Sequence, residues 1–116
     1  MHLFQLLSAH VIANLTPLGE KHGQILARSA GPYLVTLLTG SGSVALKEAC
    51  AVAIGNISLS GFKVVKVLLN QEAVESLASM LTIQVEEVVL AASLYALYHI
   101  FHSLQVLNSW DVYFLN

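Results

Sequence analysis

The stretch Ala53-Ile54-Gly55-Asn56-Ile57 holds the clearest indication of how this chain folds, because similar pentads occur twice more in the sequence. Each places one polar residue among apolar neighbours, and the other two are VIANL at residues 11–15 and ALYHI at residues 96–100. The central polar residues Asn14, Asn56 and His99 are 42 and 43 residues apart. A fixed spacing of this length indicates a tandem structural repeat, in which each unit buries its apolar face against the next.

A second group of positions repeats with the same spacing. Gly19 recurs as Gly61, 42 residues later. Apolar positions recur 43 residues later, and the two sets are Leu26, Ala30, Leu34, Leu38 and Leu69, Ala73, Leu77, Leu81. Since independent positions agree on one period, we divide the chain into a partial unit at 1–17, full units at 18–60 and 61–102, and a tail at 103–116.

The pattern of each full unit predicts two short helices followed by a longer one. In the first full unit, the apolar spacing favours a helix over 21–29, a second helix that opens at Gly31-Pro32, and a third over 44–58. A loop at 39–42 is expected before the third helix, and Ser43 is its predicted N-cap. The predicted fold class is therefore all-α, a helical solenoid with three helices per repeat.

The second full unit follows the same plan with different caps. Asn70 is predicted to cap the second helix, with Glu72 near the positive end of the helix dipole. The third helix is predicted over 84–102. The tail at 103–116 has no counterpart in the repeat, and its aromatic residues predict that it packs back as a cap: Trp110, Tyr113 and Phe114.

The stretch Pro32-Tyr33-Leu34-Val35-Thr36-Leu37-Leu38 resembles the second helix of the armadillo repeat family, whose pattern is Pro, any residue, Leu, Val, any residue, Leu, Leu. The next predicted helix resembles the family's third helix, which is rich in small residues and ends in Leu, any residue, Asn, Leu. The residues that carry this second match are Ala49, Ala51, Ala53, Asn56 and Ile57. The resemblance covers residues 1–102 and implies a solenoid that binds other proteins.

The chain departs from the family pattern at several positions. Ser29 stands where the family has Gly, and the second full unit carries Glu72 and Glu75 at the Gly and Pro places. His99 stands in place of a third Asn. HEAT repeats have an overlapping period and are the competing interpretation of the repeat.

The resemblance also implies a binding groove lined by the third helices. In the family, an Asn near the end of each third helix contacts the backbone of an extended peptide, because its amide offers both a donor and an acceptor. Asn14 and Asn56 match that position, and His99 substitutes for it in part. The residues one helical turn earlier are expected to face the same groove, and they are His10, Val52 and Tyr95.

Two further expectations concern this groove. Family members that bind basic nuclear-localisation peptides carry Trp one turn before the Asn, whereas this chain has none there. Basic peptides of that kind are therefore not the expected ligands. A helix-terminal Asn can also satisfy neighbouring backbone groups instead of a ligand. The sequence leaves both roles open for Asn14 and Asn56.

The composition is apolar and weakly charged, with 56% hydrophobic residues, 10% charged residues and a formal net charge of −2. Typical soluble domains carry about 25% charged residues, so we expect surfaces that need neighbours. The five basic residues do not cluster along the chain, which argues against nucleic-acid binding. The single cysteine, Cys50, and the lack of a convincing signal peptide favour the cytoplasm, with the nucleus as an alternative.

No group of residues in the sequence predicts catalysis, a cofactor or a metal site. His99 and His102 lie three residues apart but lack the third ligand that tetrahedral zinc needs. Cys50 lies among apolar residues at helical spacing, which predicts an inert thiol in the core. We therefore expect a non-enzymatic scaffold that binds a peptide or a helical surface of a partner protein.

The competing function is a small membrane-associated protein anchored through residues 88–107. This stretch has no Asp, Glu, Lys or Arg and is long enough to span a bilayer. His99, His102 and Gln105 oppose insertion because polar side chains are costly in lipid, so we expect a helix buried on nearly all sides by its neighbours. Residues 1–15 also lack charge, which predicts self-association or membership of a longer protein, because solenoid ends need polar caps.

Overall fold

A computed structural model of the chain describes residues 2–15 and 17–115, with side chains at 3–15 and 17–105. The described residues form helices and contain no strand, so the predicted all-α class is confirmed. The helices are α1 His2–Leu15, α2 Glu20–Gly40, α3 Val44–Ser58, α4 Phe62–Leu69, α5 Ala73–Thr82 and α6 Glu87–Leu115.

Helix α2 is continuous, so the predicted break at Gly31-Pro32 is wrong, and the predicted loop at 39–42 begins only after Gly40. Pro32 lies inside the helix and removes one backbone hydrogen bond, because its nitrogen carries no hydrogen. The helix nevertheless buries one face along its whole length. That face consists of Gly23, Ala27, Gly31, Leu34 and Leu38. Its packing outweighs the single bond that proline removes.

The second full unit keeps the two short helices apart. Asn70 ends α4, and its N–H bonds to the carbonyl of Lys66 at 3.2 Å, so the predicted role of Asn70 as N-cap of the next helix is wrong. Glu72 precedes α5 instead, in the left-handed region with a φ of 61°, and makes no side-chain cap bond. The Asn70-Gln71-Glu72 turn therefore separates α4 from α5, whereas the residues about one period earlier form the continuous helix α2.

Helix α3 has the predicted bounds, and the predicted cap is confirmed: the Ser43 side chain accepts a hydrogen bond from the Leu46 N–H at 3.2 Å. Helix α6 differs, because it begins at Glu87 rather than at 84 and its backbone continues through the tail to Leu115. The side chains of Trp110, Tyr113 and Phe114 lie outside the described residues. Their role as a cap stays a prediction.

Helix α3 lies at the centre of the packing, against α1, α2 and α6. It buries most of its circumference, including Leu46, Ile54 and Ile57, and leaves one stripe exposed or half-buried. Its backbone comes very close to α6 at Gly55, where a Cβ atom would lie 2.8 Å from the Tyr95 ring and 3.0 Å from the Ala96 Cα. The small residues of α3 thus allow two helices to pack with little space between their backbones.

Hydrogen bonds join residues that are one sequence period apart. Four bonds among the described residues connect positions separated by 42 to 44 residues. They run from Leu18 N to Ser60 Oγ at 3.0 Å, Asn56 Nδ2 to Ala13 O at 3.1 Å, Lys63 N to Glu20 Oε2 at 3.3 Å, and Gln71 Nε2 to Ala27 O at 2.9 Å. Residues separated by about one sequence period therefore lie side by side at these four positions.

The predicted burial of α6 on nearly all sides is wrong. The stretch Glu87–Gln105 has the length and composition to cross a bilayer, and only 33% of its most apolar window is buried. Leu94, Tyr98 and Phe101 are at least half exposed. One face of α6 packs on α3 and α5, and among the described residues nothing covers the opposite face.

Candidate binding surface

The six residues predicted for the groove lie on three helices that pack side by side. His10 and Asn14 are exposed on α1, Val52 and Asn56 are half-buried on α3, and Tyr95 and His99 lie on α6. Since α3 packs between α1 and α6, the three pairs follow one another across the molecule. The structure brings Tyr95 into direct contact with both Asn56 and His99.

Asn56 connects all three helices through its amide group. Its Nδ2 donates to the carbonyl of Ala13 at 3.1 Å, and its Oδ1 accepts a hydrogen bond from the Tyr95 hydroxyl. Ala13 lies in the last turn of α1. Asn56 therefore satisfies a neighbouring backbone group, as the second interpretation of the asparagines predicts.

The Asn56 amide keeps some capacity for a ligand. An Asn side chain has two N–H donors and an oxygen with two lone pairs, and the contacts to Ala13 and Tyr95 engage one of each. The residue is half-buried, so part of it is accessible to solvent. A second role in binding is chemically compatible with its structural role.

Aromatic and histidine rings extend the surface along α6. The Tyr95 and His99 rings meet edge to face with centroids 4.5 Å apart. Tyr98 contacts His99 in the same way at 5.2 Å and stacks on His102 at 5.7 Å. Such rings provide apolar contact area together with polar atoms, which is the composition that protein interfaces favour. The sequence interpretation missed Tyr98, although its spacing of three residues from Tyr95 placed it near the same face.

The outer face of α1 forms a second exposed surface. Phe4, Leu7 and Val11 are each more than half exposed, and with Ser8 and Ile12 they line a cavity of about 400 Å³. The residues one period later, Leu46, Ala49 and Ala53, are all buried in the core of the molecule. This face of α1 is therefore apolar like its counterpart on α3, but it lacks a covering helix within the described residues.

Cys50 is fully buried in α3, and burial raises the pKa of its thiol from 9.0 to about 12, while Lys47 lowers it by a smaller amount. The thiolate is the reactive form of cysteine, so this group is a structural core residue at neutral pH. Among the described residues, no group of three His, Cys, Asp or Glu side chains is placed to hold a metal ion.

The raised pKa of Cys50 predicts a loss of stability in alkali. In the unfolded chain the thiol ionises near its ordinary pKa of 9.0, whereas the folded protein keeps it neutral up to about pH 12. The free energy of unfolding should therefore fall as pH rises through that interval, because the unfolded state releases the proton first. Urea unfolding at several pH values should show a steeper decline for the wild type than for Cys50→Ala, and parallel curves would contradict the assignment.

No family model, curated protein or solved structure matches this chain. The fold is all-helical, and it presents one mixed polar and aromatic surface across α1, α3 and α6 together with one apolar surface on α1.

Proposed function

We propose that this chain is a short armadillo-like solenoid that acts as a non-enzymatic scaffold for protein interactions. The observation that carries the proposal is the set of four hydrogen bonds between residues 42 to 44 positions apart. In a solenoid each repeat contacts its neighbours, so equivalent residues of adjacent repeats lie next to each other. The central place of α3 between α1 and α6 supports the same arrangement.

The proposed ligand is an extended peptide of a partner protein, bound across the C-terminal turns of α1 and α3 and the middle of α6. Asn14, Asn56 and His99 would contact its backbone, and His10, Val52 and Tyr95 would contact its side chains. The support is that these residues follow one another across three packed helices, with Tyr95 joining Asn56 to His99. A cytoplasmic or nuclear location suits the free, buried Cys50.

Asn14 is the best residue for a test, because Asn56 also holds α1 to α3 and its removal would weaken the fold. A library of unstructured peptides displayed on phage would be selected against the full chain, and the recovered peptides measured by calorimetry. We expect Asn14→Ala to weaken binding about tenfold, as loss of one or two backbone hydrogen bonds would. Asn70→Ala replaces an exposed Asn that directly follows α4, and it serves as the matched control.

The peptide-groove proposal fails under two results. The first is a selection that enriches no peptide over several rounds, and the second is equal binding of the selected peptides by Asn14→Ala and Asn70→Ala. Far-UV circular dichroism and the urea midpoint of each variant separate a loss of binding from a loss of structure. Both variants replace an exposed Asn, so they should fold like the wild type.

A second candidate is attachment to a membrane through residues 88–107, and the exposed face of α6 favours it. Leu94, Tyr98 and Phe101 form an apolar stripe there without a charged neighbour between 88 and 105. His99 and His102 oppose full insertion, because polar rings are costly in the hydrocarbon core. Flotation with neutral phosphatidylcholine vesicles separates the two functions: a scaffold stays in the soluble fraction, whereas an anchored protein floats.

The outer face of α1 supports self-association, or packing against further helices of a longer protein. Its exposed Phe4, Leu7 and Val11 lie one period before residues that are buried on α3. A second copy of this chain could cover the face through a two-fold interface, in which the same patch meets itself.

A further inference from the structure

The fold gathers basic side chains that are scattered along the sequence. Arg28 on α2 and Lys63 and Lys66 on α4 line one pocket of about 300 Å³ in the groove between these helices. They are three of the five basic residues in the chain. The remaining lining residues are Gln24, Val67 and Asn70, so the pocket is polar and holds no carboxylate.

The packing of α2 on α4 accounts for this gathering. The two helices bury small and branched residues against each other, with Gly23 close to Ser60 and Val64. Gln24 and Arg28 are four residues apart on α2, whereas Lys63, Lys66 and Asn70 recur every three or four residues on α4. Residues with such spacing share one face of a helix, so both helices direct their polar edges into the same groove.

The basic side chains in this pocket have hydrogen-bond donors available for a ligand. Arg28 donates to Gln24 Oε1 at 3.3 Å, which leaves most of its guanidinium donors available. Among the side chains that the structure describes, no carboxylate pairs with Arg28, Lys63 or Lys66. The carboxylate of Glu20 accepts instead from the backbone N–H of Lys63 at 3.3 Å, and Glu72 lies in the turn after Asn70.

We propose that this pocket binds a phosphoryl group, either as inorganic phosphate or as a phosphorylated side chain of a partner. Guanidinium and ammonium groups make short, charge-assisted hydrogen bonds to phosphate oxygens, and amide donors such as those of Asn70 and Gln24 complete such a site. The volume lies at the small end of the range for ligand pockets, which suits a single small group. The net charge of −2 disfavours a long polyanion such as nucleic acid.

The test is a titration of the full-length chain with inorganic phosphate at constant ionic strength. Binding is measured from the changes in backbone amide NMR chemical shifts. We expect saturable shifts at Arg28, Lys63 and Lys66 with a dissociation constant on the order of 1 mM, since the site is exposed and weakened by salt. Arg28→Gln and Lys66→Gln should each weaken binding roughly three- to tenfold. Lys21→Gln removes an equal charge from the exposed surface of α2 outside the pocket, and should leave binding unchanged.

Two further ligands test whether the phosphoryl group comes from free phosphate or from a phosphorylated side chain, and whether the pocket prefers phosphate to a carboxylate. Tighter binding of N-acetyl-phosphoserine amide than of inorganic phosphate would assign the pocket to phosphorylated side chains, and equal binding would assign it to free phosphate. Equally strong binding of N-acetylglutamate amide would overturn the proposal, because it would show general attraction of anions. Chemical shift changes that do not saturate would overturn it too. A loss of phosphate affinity in Lys21→Gln as large as that in Arg28→Gln would have the same consequence. This pocket does not depend on the peptide groove, so either proposal can fail alone.

Discussion

Replacing Gly61 with alanine should destabilise the protein by about 2–4 kcal/mol, as backbone strain and the loss of a helix cap add together. Gly61 has φ 132° and ψ 169°, a region that only glycine adopts without strain. A Cβ atom there would clash with the Glu20 carboxylate, which accepts from the Lys63 N–H at the start of α4. Alanine would therefore strain the chain and displace the acid that stabilises this helix N-terminus.

Gly19 provides the matched control, because it lies 42 residues earlier at the equivalent position. Its φ is −58°, and a Cβ atom there would meet nothing within 4 Å. Gly19→Ala should change stability by less than about 1 kcal/mol, since alanine restricts the unfolded chain without straining the folded one but is a poorer N-cap residue than glycine. Urea denaturation of both variants would measure the difference, and effects of equal size would refute the distinction between these glycines.

Replacing Gly55 with leucine should cost about 3 kcal/mol or more, because the added side chain has no space between α3 and α6. The nearest atoms are the Tyr95 ring at 2.8 Å from the new Cβ and the Ala96 Cα at 3.0 Å. The ring could turn away only by breaking its hydrogen bond to Asn56, and the Ala96 backbone could move only with the whole of α6. The gain in helix propensity, about 0.8–1 kcal/mol over glycine, is too small to offset this clash.

Ala45→Leu is the control for Gly55→Leu, and it tests whether the added volume alone or its position on α3 causes the loss of stability. It lies on the exposed side of α3, so Ala45→Leu adds most of the same volume to the same helix where it meets solvent. Its effect should stay within about 0.5 kcal/mol. Thermal and urea unfolding would compare the two variants, and a Gly55→Leu protein as stable as the wild type would disprove the close contact between α3 and α6.

The candidate surface was partly predictable from the sequence. The period placed Asn14, Asn56 and His99 at equivalent positions, and a spacing of one helical turn added His10, Val52 and Tyr95. The bond from Asn56 to the Ala13 carbonyl was not predictable, because a helix-terminal Asn can serve either a ligand or a neighbouring helix. Only the distance between helices decides which partner it reaches.

The clustering of basic side chains was likewise not predictable from the sequence. The five basic residues are dispersed along the chain, and their dispersal predicted no basic patch. The structure nevertheless brings Arg28, Lys63 and Lys66 to one pocket, because α2 and α4 pack side by side. A sequence separation of more than 30 residues gives no indication of spatial distance until the packing of the helices is known.

The sequence by itself determined the all-helical class, the period of 42 to 43 residues, and α3 with its Ser43 cap. These features depend on local apolar spacing and on capping within a few residues. The tertiary structure decided that α2 passes through Pro32 and that Gly61 alone has a positive φ among the glycines of the described residues. Both outcomes depend on burial and on contacts with distant residues, which can outweigh a lost hydrogen bond or require a strained turn.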